Sequence, residues 1–181
     1  MKKLVLTSLL AAFAVSSANA ATNYFVGGST ALGFDKSHSN IVSIAPELGM
    51  KISEKWDLGV MAEFAYDHKY IGDEKAYDYG FGAFARYHAA QFGNFSLLFK
   101  GTVGAEFFRF DGDTEQELSA SIIPMVTYDL TESFTLYANL NFLGVYAGYN
   151  FDSKDWGFGA VADSDNVLNT KDFQIGFTYN F

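Results

Sequence analysis

Residues 76–88 read AYDYGFGAFARYH, and bulky side chains alternate there with glycine and charged residues. Tyr77, Tyr79 and Phe81 fall in one phase of the alternation, whereas Asp78 and Arg86 fall in the other. Successive side chains of a β-strand point to opposite faces, so a period of two is typical of a strand and not of a helix. This stretch therefore predicts a strand with one aromatic face and one small or polar face.

The same alternation recurs along the chain from residue 21 onward, and no stretch there has a convincing helical period. Eight strands are predicted, at residues 23–34, 40–52, 57–68, 76–88, 94–110, 117–129, 134–148 and 171–181. Most have 11 to 13 residues, longer than the roughly 5–6 of globular sheets and close to the roughly 9–11 that cross a bilayer. An open sheet edge is not stable in lipid. The predicted fold class is therefore all-β, an eight-stranded antiparallel up-and-down transmembrane β-barrel.

Residues 1–20 have the pattern of a cleaved signal peptide. Lys2 and Lys3 precede an apolar run, and Ala18-Asn19-Ala20 forms a small-x-small cleavage site. The run is too short to span a bilayer, which needs about 20 apolar residues. We expect two segments, a signal peptide at 1–20 and an outer-membrane β-barrel domain at 21–181. Cleavage removes two lysines and changes the net charge from −9 to −11.

Composition excludes several classes of protein. The 181 residues include no cysteine, so neither disulfides nor thiolate metal sites are possible. The acidic balance, with no cluster of Lys and Arg, argues against a nucleic-acid partner. Aromatic residues make up 18% of the chain, which argues against a disordered acidic polypeptide.

The predicted connections alternate in length and give an orientation. The tight ones are 53–56, 89–93 and 130–133, and the longer ones are 35–39, 67–75, 111–116 and 149–170. Bacterial outer-membrane barrels have short periplasmic turns and longer outer loops. We therefore expect both termini in the periplasm and the acidic loops outside the cell.

The inner phase of the strands carries charges that cannot face lipid, where Lys or Arg costs roughly 2–4 kcal/mol at the midplane. An eight-stranded barrel is just wide enough for its interior to be filled by side chains. Our hypothesis is a polar network that plugs the lumen, formed by Glu47, Glu63, Arg86, Lys100 and Glu106. Pro46 and Pro124 fall within predicted strands, where proline usually marks an edge or a bulge.

The mature chain resembles the OmpA/OmpX-like family of small outer-membrane β-barrels. The resemblance rests on residues 24–28 (YFVGG), 43–49 (SIAPELG), 58–60 (LGV) and 84–87 (FARY), and on the C-terminal FTYNF. It implies that Phe177, Tyr179 and Phe181 form a signal read by the barrel-assembly machinery. It also implies a structural or surface-interaction role, with outer-membrane lipid and lipopolysaccharide as partners and a monomeric state. Larger members of the family carry a peptidoglycan-binding domain, and we expect none here.

Three other functions remain open at this point: a narrow channel, a lipid A-modifying enzyme and a soluble lipocalin-like carrier. A barrel deacylase would need a His–Ser pair near the outer leaflet. His38 lies between Ser37 and Ser39 in the first loop, His68 begins the second, and His88 is predicted at the periplasmic end. No G-x-S-x-G motif is present, and fold analogy alone does not define an activity. We expect no enzymatic activity and no catalytic residues.

We also expect neither a metal ion nor a cofactor. The acidic stretch 111–117 lacks the spacing of a calcium loop, and Asp163 and Asp165 do not supply it. Solvation of loop tips explains these carboxylates more simply. Sharing of divalent cations between the acidic loops and lipopolysaccharide phosphates stays open.

Overall fold

The computed structural model describes residues 23–34, 40–67, 75–162 and 173–181, which form ten β-strands. The strands are β1 (Tyr24–Phe34), β2 (Asn40–Lys51), β3 (Trp56–Asp67), β4 (Ala76–Phe92), β5 (Phe95–Phe110), β6 (Asp113–Asp129), β7 (Phe134–Leu140), β8 (Leu143–Asn150), β9 (Asp155–Ala162) and β10 (Phe173–Asn180). The predicted signal peptide lies outside the described residues. No helix among the described residues is long and apolar enough to cross a membrane.

Eight of these strands close into a barrel. From β1 to β7 each strand pairs antiparallel with the next, β7 also pairs with β10, and β10 pairs with β1. The predicted closed, eight-stranded antiparallel barrel is confirmed. Closure gives each strand of the ring a hydrogen-bonded neighbour strand on both sides, as a lipid environment requires.

The seventh strand of the barrel is interrupted, and the interruption lies opposite a proline. β6 pairs with β7 from Met125 toward its C-terminus and with β8 from Ile122 toward its N-terminus. Pro124 lies between these two ladders and has no N–H to donate to a neighbouring strand. On its other side β8 pairs with β9 and not with β10, so that β8 and β9 form a hairpin extending from β6.

The prediction of one long loop at 149–170 was therefore wrong. β8 continues to Asn150, residues 151–154 form a turn, and β9 follows directly. The side-chain oxygen of Asn150 accepts hydrogen bonds from the backbone N–H groups of Asp152 and Ser153, both at 2.9 Å, which stabilises the turn. Asp and Gly residues gave this region a loop-like composition, although Trp156 and Phe158 alternate with glycines as a strand requires.

The predicted loop at 111–116 was also wrong. β5 and β6 are joined by a two-residue turn, Asp111-Gly112, with φ angles of 47° and 88°. Two positive φ angles define the type I′ turn, and Asp-Gly is among its preferred sequences because glycine adopts this conformation without a steric cost. The four residues that follow pair with β5 instead of forming a loop.

The assignment of residues to the two faces of each strand agrees with the structure. Phe81, Val103 and Ile175 in the outer phase are 63%, 53% and 55% exposed, whereas Arg86 and Lys100 in the inner phase are 3% exposed. The tight turns between β2 and β3, β4 and β5, and β6 and β7 are also present. The second of them is shorter than predicted, because β4 continues to Phe92.

Candidate functional site: a polar cluster inside the barrel

Glu47 is the centre of a buried charge cluster in the lumen. It lies on β2, and its carboxylate accepts hydrogen bonds from Arg86 on β4 and from Lys100 on β5, the latter at 3.3 Å. Arg86 and Lys100 are directly opposite each other on neighbouring strands. Glu47 lies on β2, which is adjacent to neither of these strands, and its side chain crosses the lumen to contact them. All three residues are at most 4% exposed. The lumen therefore holds two cations that share one carboxylate.

Aromatic rings enclose the guanidinium group of Arg86. Its central carbon lies 5.0 Å from the ring centre of Phe25, 4.8 Å from that of Phe84 and 5.2 Å from that of Tyr137. The Nζ atom of Lys100 lies 5.0 Å from the Phe84 ring. Cations at such distances from aromatic faces are attracted by the ring quadrupole, more strongly where water is excluded. The rings both stabilise the charges and fill the space around them.

Each of these three rings lies over a glycine directly opposite it on a neighbouring strand. The pairs are Phe25 with Gly49, Phe84 with Gly59, and Tyr137 with Gly176. A Cβ atom at any of the three glycines would collide with the ring. Glycine is therefore required at these positions by close packing.

The structure does not unite all five residues of the hypothesised network. Glu63 lies within electrostatic range of Lys100, Glu106 and Asp78, without an ion pair among the described residues. Glu106 accepts a hydrogen bond from the hydroxyl of Ser119. These two carboxylates lie on the loop side of the cluster, where Glu106 and Asp78 help to line a cavity of about 260 Å³.

The tight-turn end of the lumen is a larger cavity of about 1050 Å³. Arg86, Leu98, Met125 and Tyr137 line its inner part, and each is at most 3% exposed. At its wall the carboxylate of Asp57 lies 2.9 Å from Nε2 of His88. The charge cluster thus separates two cavities that enter the barrel from opposite ends.

Sequence reasoning missed several of the groups that complete the cluster. Phe25, Tyr137 and Met125 are inward-facing by their phase, but the predicted network contained charged residues only. Asn139 donates a hydrogen bond to Gln174 at 3.1 Å across β7 and β10. The signal that could have found the rings is an inward aromatic residue facing a glycine on the neighbouring strand.

The three residues of the predicted assembly signal lie on the outer surface of β10 and at its end. Phe177, Tyr179 and Phe181 are 47%, 43% and 51% exposed. Phe177 stacks on Phe134 with ring centres 5.6 Å apart. The backbone N–H of Phe181 donates to Tyr24 at 3.0 Å, so the last residue is paired with the first strand.

The histidines and loop acids considered for catalysis or metal binding are mostly outside the described residues. This applies to Ser37, His38, Ser39, His68, Asp163 and Asp165. Within the described part of the chain, no group of three or more His, Asp or Glu residues could hold a metal ion.

A closed antiparallel eight-stranded barrel with an apolar exterior and a buried polar interior is the fold of bacterial outer-membrane β-barrel proteins. Two solved structures have a similar fold. Neisserial surface protein A has a TM-score of 0.54 and 13% identity, over 88% of this chain and 97% of that one. A major outer membrane protein from Thermus thermophilus has a TM-score of 0.52 and 13% identity, over 90% and 100%. No protein-family model and no curated protein matches the chain.

Proposed function

We propose that this protein is a non-conducting barrel of the bacterial outer membrane that supports membrane integrity and displays acidic connections at the cell surface. Its lumen is closed by the Glu47–Arg86–Lys100 cluster and the rings of Phe25, Phe84 and Tyr137. In this role the barrel wall interacts with outer-membrane lipid and lipopolysaccharide, and the loop-side carboxylates lie near the lipopolysaccharide headgroups.

The observation that carries this proposal is the burial of the cluster. Glu47, Arg86 and Lys100 are 4%, 3% and 3% exposed, in a chain whose two lumen cavities lie on opposite sides of them. Eight strands leave little space beyond that filled by side chains. A water-filled pathway would require these charges to separate, and isolated buried charges are strongly unfavourable.

Single-channel recording in planar lipid bilayers tests the closed lumen. We expect no conductance steps from the folded wild-type protein, and the same result from Val103→Ala, a control on the outer face of the barrel. An established porin in the same bilayers verifies that insertion is detectable. Regular conductance steps from the wild-type protein would contradict the proposal and favour a narrow channel.

We further propose that the chain is exported through its signal peptide and enters the membrane through the barrel-assembly machinery. Phe177, Tyr179 and Phe181 on the last strand would be the residues recognised, and both termini would be periplasmic. No catalytic activity is part of the proposal. Mass spectrometry of lipid A from cells with and without the gene should give identical spectra, and a change in acylation would favour a lipid A enzyme instead.

A further inference from the structure

The outer edge of β9 has no partner strand among the described residues. β9 pairs with β8 along its whole length, from Asn150–Asp155 to Leu143–Ala162, and it contacts no other described strand to a comparable extent. β1, which closes the barrel, pairs with β10 and not with β9. An unpaired edge presents a row of free N–H and C=O groups, and lipid cannot hydrogen-bond to them. A partner for this edge would therefore stabilise the protein.

The sequence of β9 also lacks the residues that normally protect an edge strand. Residues 156–162 read WGFGAVA, without charge or proline. Natural edges are usually blocked by lysines, prolines, bulges or a covering segment. Trp156 and Phe158 are 75% and 88% exposed, more than any other large apolar side chain in the described part of the chain. The composition of β9 therefore leaves its outer edge free to pair with another strand.

The environment of this edge is the membrane. Phe158 is the last member of a cross-strand row on the outer face of the barrel. The row runs through Val60, Ala83, Val103, Ala120 and Ala147 to Phe158. Because this face is the lipid-facing one, a partner must itself present an uncharged strand at the same depth. A second copy of the chain meets that requirement in any outer membrane that contains this protein.

We propose that β9 pairs edge to edge with β9 of a second copy of this chain, antiparallel about a two-fold axis at Phe158. The protein is then a dimer and not the monomer that the family resemblance implies. In this register Trp156 faces Ala160 of the second copy, so that a large side chain lies beside a small one. Gly157 faces Gly159 of the second copy, and the space around Gly157 is open, with no atom within 4 Å of a Cβ built there. Asp155 faces Val161, so no like charges are opposed. Self-complementarity of this kind is the requirement for a two-fold symmetric interface.

Disulfide cross-linking in isolated outer membranes tests the proposal, because the chain has no cysteine of its own. Phe158→Cys places the new thiol on the two-fold axis. Directly opposed residues of an antiparallel pair have Cα atoms about 4.5–5.5 Å apart, within the range that a disulfide spans. With a mild oxidant we expect a reducible product with the mass of two chains, about tenfold more abundant than in the control variant.

The matched control is Val60→Cys. Val60 belongs to the same cross-strand row, on β3, and is 47% exposed on the outer face. It reports random collisions between the outer faces of barrels in the same membrane. A mixture of Trp156→Cys and Ala160→Cys chains tests the register separately, and should give more linked product than either variant alone.

Heat-modifiable mobility on gels first establishes that each variant is folded. Equal cross-linking of the Phe158 and Val60 variants overturns the proposal. It is also overturned if folded Phe158→Cys remains monomeric, or if its product has a mass other than that of two chains. If Phe158→Cys does not fold, the mixture of Trp156→Cys and Ala160→Cys chains is the test. An absence of disulfide-linked product from this mixture overturns the proposed pairing.

Discussion

At the scale of single residues, Glu47 has a different role from the cations that bind it. Two buried cations share its one carboxylate, so removing Glu47 leaves two charges without compensation. Removing one cation leaves a balanced pair. Breaking a buried ion pair by losing one partner costs about 3–5 kcal/mol, chiefly because the remaining charge stays buried and unpaired. The loss of folding free energy on each substitution therefore depends on whether a buried charge is left unpaired.

We expect Glu47→Gln to lower the free energy of unfolding by about 3–5 kcal/mol, for the reason that both cations lose their counter-charge. Lys100→Met keeps the Glu47–Arg86 pair and should cost at least about 1 kcal/mol less. Urea unfolding of the barrel in detergent or vesicles, followed by tryptophan fluorescence, measures both. A larger loss for Lys100→Met would show that Glu47 is not the shared anion of the cluster.

At the scale of the strands, the interior is built from aromatic–glycine pairs. Phe25, Phe84 and Tyr137 each lie across a glycine of the adjacent strand, and all three rings converge on Arg86. The pairs come from three different places in the wall, namely β1–β2, β3–β4 and β7–β10. Because a glycine lies opposite each ring, three strand pairs can each place a large side chain at the same point of the lumen.

Gly59→Ala should destabilise the barrel by about 1–3 kcal/mol, the usual cost of overpacking. Its Cβ would collide with the ring of Phe84 and lie 2.5 Å from the carbonyl oxygen of Leu48. Gly101→Ala is the matched control, because its nearest neighbours would be 3.9 Å away. The midpoint of urea unfolding compares the two. Equal midpoints would mean that the ring moves aside and that the glycine is not a packing requirement.

At the scale of the whole molecule, the barrel has two unlike ends. One end carries the tight turns and opens into the cavity of about 1050 Å³, and the other carries the β5–β6 and β8–β9 hairpins and the acidic cavity of about 260 Å³. Short turns face the periplasm in bacterial outer-membrane barrels. We therefore propose that the acidic end faces outward, where charged groups remain solvated.

Single cysteines give a direct test of this orientation. In intact cells, Ser153→Cys in the β8–β9 turn should react with a membrane-impermeant maleimide, since the proposed orientation places this turn outside the cell. Glu132→Cys in the β6–β7 turn should react only after the outer membrane is permeabilised. Both positions are exposed, so access and not burial limits the reaction. Labelling of Glu132→Cys in intact cells would reverse the orientation.

The sequence by itself determined the class of fold and the face of each strand. Alternation with a period of two is a local property, and together with the need to pair every backbone group in lipid it predicts a closed barrel. It also predicted that Glu47, Arg86 and Lys100 point inward. None of these inferences required knowledge of a contact between residues distant in the chain.

Only the tertiary structure decided which inward groups meet and how the last strands are arranged. Whether Glu47 reaches Arg86 and Lys100 depends on the stagger of β2 against β4 and β5, which are not adjacent to it in the barrel. The hydrogen bond between Ser119 and Glu106 depends on the register of the β5–β6 hairpin. A shift of register moves every side chain to a different height or face. The hairpin of β8 and β9 likewise depends on pairing with β6, a long-range contact that the loop-like composition of residues 149–170 concealed.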